Sequence, residues 1–76
     1  MTNFYGRNTE SNWTKLDAKD STQAKKETTK IFGGSFVDHF LFVKQATKEQ
    51  IKSGEISIIP GYCRKIKSGS KWIAED

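Results

Sequence analysis

Apolar positions are spread unevenly along this chain. Up to Lys30 the only Leu, Ile, Val or Phe residues are Phe4 and Leu16, whereas residues 31–76 hold the other fourteen. A stretch so poor in large aliphatics buries little surface to offset the entropy of ordering its backbone. The pattern therefore predicts a polar, mobile arm or loosely docked segment over residues 1–30 and a small folded domain over 31–76. Within the first part, Trp13 and Leu16 are spaced like one helical turn. Asp20 or Ser21 is placed to cap a short helix through Gln23-Ala24-Lys25-Lys26-Glu27, which Thr28 and Thr29 then weaken.

In the second part, Lys30-Ile31-Phe32 and Ser35-Phe36-Val37 flank Gly33-Gly34, a spacing that suggests a hairpin with a tight turn. From Phe36 to Lys44 both parities are apolar. Phe36, Phe40 and Phe42 fall on one side and Val37, Leu41 and Val43 on the other, as in a strand covered on both faces. The competing assignment is a helix, because Ser35 and Asp38 make a cap-like start. The aromatic and β-branched content favours the strand. Thr47 with Gln50 forms a capping box, and Gly54 supplies a left-handed stop about two turns later. Glu55–Ile59 reads as a strand ended by Pro60-Gly61.

The last segment predicts a hairpin turning at Ser68-Gly69-Ser70, with Gly69 left-handed, Ile66 opposite Trp72 and Arg64 opposite Ala74. That register places Tyr62, Arg64, Ile66, Trp72 and Ala74 on one face. Cys63, Lys65, Lys67, Lys71 and Ile73 take the other. The elements together predict a small α+β fold, with an antiparallel sheet of about four strands, one short helix and the N-terminal arm.

Composition narrows the function classes. Seventy-six residues allow one domain. The longest apolar run, Phe40-Leu41-Phe42-Val43, is too short to cross a bilayer, and no apolar segment follows the N-terminus as in a signal peptide. Cys63 is the only cysteine, so disulfides do not staple this fold, and a reducing, cytoplasmic setting is expected.

Candidate chemistry is sparse. His39 is the only histidine. In a strand Asp38 points to the opposite face and cannot orient its ring as a base for hydrolysis. Cys63 and His39 could form a thiolate pair only if the fold brought them together. One His and one Cys cannot fill a structural zinc site. There is no Asp-rich calcium loop and no phosphate loop after Gly33-Gly34. No enzyme, metal or cofactor is expected.

The net charge is +4, and between Glu55 and Glu75 the chain carries no acidic residue. That stretch holds Arg64, Lys65, Lys67 and Lys71 with Tyr62 and Trp72. Cations that neutralise phosphates beside rings that stack bases suit nucleic acid, or an acidic protein surface. The plain structural alternative is that the lysines keep an edge strand from aggregating and the rings fill a small core. A compact winged-helix arrangement, with the Lys67–Lys71 turn as its wing, is a further alternative.

The expected function is therefore a small basic, non-enzymatic protein engaging nucleic acid or a nucleic-acid-handling complex through the C-terminal hairpin. The second expectation is a phage- or plasmid-type inhibitor that binds a host enzyme directly. Its arm would make contacts through Phe4, Tyr5, Arg7 and Trp13.

Overall fold

The computed structural model describes residues 2–34, 39–67 and 71–75. Eight elements follow one another: β1 (Asn3–Asn8), β2 (Thr14–Lys15), α1 (Ser21–Phe32), β3 (Phe40–Ala46), α2 (Lys48–Ser53), a 3₁₀ turn (Glu55–Ile58), β4 (Gly61–Lys65) and β5 (Ile73–Ala74). The strands form one five-stranded sheet in the order β2-β1-β3-β4-β5, antiparallel at every pairing. The expected small α+β class holds, with five strands and two α-helices in place of about four and one.

The main correction is at the N-terminus. Residues 1–30 were expected to be a mobile arm or a loosely docked segment, yet β1 lies inside the sheet, paired with β3 from Asn3↔Ala46 to Asn8↔Leu41. Helix α1 then packs across β1 and β3. The count of large aliphatics misleads because this layer is closed by small residues. Ala24 and Thr28 of α1 are fully buried, as are Leu41 and Val43 of β3. Gly6 lets the helix approach, since a Cβ there would overlap Thr28 Oγ1. Trp13 and Leu16 lie on no common helix: Leu16 packs with Ala24 and Val43, whereas Trp13 packs with Tyr5, Ala46 and Ile56 on the other side.

Helix α1 begins as its cap predicts. Asp20 Oδ1 accepts from the Gln23 N–H at 2.8 Å. The helix does not fade at the threonines: Thr28 is fully buried against the sheet, and the two hydroxyls are satisfied by the Ala24 and Lys25 carbonyls. It runs on to Phe32, so Gly33-Gly34 is not a hairpin turn. Gly33 closes the helix, its N–H donating to Thr29 O at 2.8 Å. The expected pairing of Ser35-Phe36-Val37 lies outside the described residues, as does the Ser35/Asp38 cap.

The strand assignment holds for Phe40–Lys44, inside β3. Thr47 and Gln50 form both bonds of the capping box, at 3.1 and 2.9 Å, and Gly54 is left-handed at φ 82°. Glu55–Ile59 is not a strand. Its first four residues form the 3₁₀ turn, which drives Ile56 onto Tyr5 and Ala46. The strand comes after Pro60 instead, as β4. There Gly61 lies against the Val43 carbonyl, where a Cβ would overlap it.

The C-terminal hairpin forms with a register two residues from the expected one. Tyr62 pairs with Ala74 and Cys63 with Ile73, instead of Arg64 with Ala74. A shift of two preserves the face of every side chain. The loop is accordingly longer, and Lys67 is left-handed at φ 71°. Ser68, Gly69 and Ser70 lie outside the described residues.

The sheet thus has two unlike faces. One is closed by α1 over Phe4, Leu41, Val43 and Tyr62. The other is covered only at one end, where α2 and the 3₁₀ turn pack on Tyr5 and Ala46. Among the described residues no helix is long and apolar enough to cross a membrane.

Candidate functional site

Helix α1 presents Thr22, Lys25, Lys26, Thr29 and Lys30 along one side, a stripe at helical spacing about 12 Å long. Facing it across an open groove of about 470 Å³ are Arg64 of β4 and Trp72, just before β5. Among the described residues, four cations line this groove and no carboxylate does. Lys25 Nζ lies 3.8 Å from the centroid of the Tyr62 ring, which fixes its stem against the sheet. Arg64 Nε is buried without a hydrogen-bond acceptor. A buried N–H without an acceptor costs stability, and it leaves the terminal guanidinium nitrogens as the donors a groove ligand can meet.

The six hairpin residues singled out from sequence are divided by the sheet. Tyr62, Arg64 and Trp72 lie on the α1 side and contribute to the groove or its wall. Lys65 points to the opposite face, its Nζ 5.8 Å from the Phe40 ring centroid. Lys67 and Lys71 are exposed beside the turn. Sequence reasoning missed Lys25, Lys26 and Lys30. The i, i+4 spacing of Lys26 and Lys30, with Lys25 beside them in a capped helix, was the available signal, but nothing local said that β4 would face them.

The four residues assigned to the arm also part company. Phe4 packs under α1 and Tyr5 is buried on the other face. The Arg7 guanidinium lies between Trp13 and Phe42, 5.6 and 5.5 Å from their ring centroids. It donates to the Asn8 and Thr9 carbonyls at 2.9 and 3.1 Å.

A second feature that sequence reasoning missed is Lys44, 7% exposed in the middle of β3. Its Nζ donates to Ile56 O at 3.0 Å and Ser57 O at 3.4 Å, and lies 3.1 Å from Glu75 Oε2. These contacts tie the 3₁₀ turn and the chain's end to the central strand.

The residues considered for catalysis are kept apart. His39 Nε2 donates to Phe32 O at 3.0 Å, at the end of α1. Cys63 pairs with Phe42 on the opposite face. Burial, aided by the Glu75 carboxylate, pushes the Cys63 thiol above its ordinary pKa, the reverse of what an activated thiolate needs. Among the described residues no cluster of His, Cys, Asp or Glu is arranged to hold a metal ion.

No family model, no curated protein and no solved structure matches this chain.

Proposed function

We propose that this chain is a nucleic-acid-binding protein that acts by binding alone, through the groove between α1 and β4. The observation that carries this reading is the facing of Lys25, Lys26 and Lys30 by Arg64 and Trp72, with no carboxylate among the described lining residues. Three lysines on two turns of helix offer point charges to successive phosphates. Arg64, on the facing wall, brings a planar fork of donors that suits a phosphate. The Trp72 ring gives one wall a flat apolar surface on which a base or sugar can rest.

The test is fluorescence anisotropy with a labelled twenty-base oligothymidylate over a range of salt. If all four cations meet phosphates, the log–log salt slope is about −3 for a single strand. Lys26→Glu with Lys30→Glu should abolish binding and leave the fold intact, since both side chains line an open groove. Absence of binding at low salt, or wild-type affinity and slope in the double variant, refutes the reading. In that case an acidic protein surface becomes the better partner for the same charges.

A further inference from the structure

The open face of the sheet carries a second set of rings. A lateral row crosses four strands: Arg7 of β1 is paired with Phe42 of β3, Phe42 with Cys63 of β4, and Cys63 with Ile73 of β5. In the next row outward, Phe40 is paired with Lys65. Phe40 is 40% exposed and Ile73 68% exposed, because α2 and the 3₁₀ turn cover only the Tyr5–Ala46 end. The Phe40 and Phe42 rings stand side by side, centroids 6.2 Å apart and planes inclined by 29°. The protonated Cys63 thiol extends this apolar strip. The carboxylate of Glu75 borders the strip beside Phe42, and Lys44 Nζ pairs with it at 3.1 Å.

We infer that this face stacks unpaired nucleobases, so that the preferred ligand is single-stranded nucleic acid. The inference rests on the nucleic-acid reading of the α1–β4 groove and specifies its partner. Two rings on alternate residues of one strand, about 6.6 Å apart along the backbone, form a platform for neighbouring bases of an extended strand. Bases inside a duplex are already stacked on each other and cannot reach such a platform. Arg7 gives the row its charge. Its guanidinium carbon lies 5.6 and 5.5 Å from the Trp13 and Phe42 ring centroids, with donors left over beyond the two carbonyls it engages. β4 links the two surfaces, sending Arg64 to the groove and Lys65 to the open face.

The same charge argues against a second copy as the occupant. A two-fold contact through this patch would set its own cations against themselves, whereas a polyanion neutralises them.

The experiment compares oligothymidylate with a duplex of equal length, using wild-type protein, Phe40→Ser, Phe40→Trp and the Lys26→Glu/Lys30→Glu variant. Phe40 is partly exposed, so its replacements keep the fold, and circular dichroism verifies this. The expected result is tighter binding of the single strand, a loss on the order of tenfold in Phe40→Ser and retention in Phe40→Trp. The salt slope should stay unchanged in both. Equal binding of the two ligands with no effect of Phe40→Ser, while the lysine variant fails, overturns the stacking platform and leaves the groove standing. Failure of the wild type to bind either ligand overturns both. A dimer in sedimentation that Phe40→Ser converts to monomer makes the face a self-interface and also overturns the inference.

Discussion

Gly6 of β1 lies directly under Thr28 of α1, and a Cβ at position 6 would overlap the Thr28 hydroxyl. Thr28 is fully buried and its Oγ1 donates to Ala24 O at 2.8 Å, so it has little freedom to move aside. Gly6→Ala should therefore destabilise the protein by about 1–3 kcal/mol despite the gain from removing a flexible glycine. Urea denaturation measures the loss. The double variant Gly6→Ala/Thr28→Ala should recover much of it, because the overlapping atom is gone. An additive double-mutant cycle would show that the close approach is not the cause.

Lys44 is the buried cation that fastens the 3₁₀ turn and Glu75 to the central strand. Replacing it with Met keeps the stem's volume but leaves two carbonyls without their donor and Glu75 without its partner. The expected cost is on the order of 2 kcal/mol. Glu75→Gln should cost less, since the side chain is 26% exposed and the amide oxygen of Gln still accepts from the Lys44 ammonium. Chemical denaturation of the two variants gives the order directly. A Lys44→Met protein of unchanged stability would refute the anchoring role.

Cys63 reports on the same corner. Burial, and then the Glu75 carboxylate, raise its thiol pKa above the ordinary value. Iodoacetamide should therefore alkylate the folded protein more slowly than the urea-unfolded chain at mildly alkaline pH, and Glu75→Gln should narrow the difference. The stability consequence has a definite sign. An acid whose folded pKa is raised favours folding while its thiol is protonated in both states. That contribution is lost as pH climbs from the unfolded thiol's pKa through the folded one. Stability should fall across that alkaline window, and less steeply in Cys63→Ser.

The two helix caps offer a cleaner measure of local order. Asp20→Ala removes the acceptor for the Gln23 N–H, and Thr47→Ala removes one half of the α2 capping box. Each should lower stability by about 1 kcal/mol. Asp20→Ala should also weaken oligonucleotide binding modestly, because it frays the helix that carries Lys25 and Lys26. Thr47→Ala, on the far side of the sheet, should leave the groove's affinity unchanged.

The candidate site was half legible before the fold was known. Tyr62, Arg64 and Trp72 share one parity in the hairpin, and that parity survives the two-residue shift in register. Lys25, Lys26 and Lys30 were visible only as charges on a short helix, since local spacing says nothing about which strand a helix will face. Lys65 was counted with Arg64 in one basic site, although the same alternation already set the two on opposite faces of the hairpin. Arg7 and Trp13 were recognised as anchors, but Phe42, which completes their stack, comes from another strand.

What the sequence by itself determined is the local punctuation: Asp20 and Thr47 as helix starts, Gly54 as a left-handed stop, β3 through its aromatic and β-branched run, and the face segregation of the last hairpin. These depend on hydrogen bonds and sterics within a few residues. The tertiary structure decided the rest. It drew the aliphatic-poor N-terminus into the sheet as β1, because pairing with β3 and close packing of Gly6 against Thr28 stabilise a segment that lacks large side chains of its own. It turned Glu55–Ile58 into a 3₁₀ segment, because Ile56 and the Lys44 ammonium fix that turn against the sheet. It also split the hairpin's basic residues between a groove and an aromatic face, since a two-sided sheet can gather residues from distant strands only on the side where each already points.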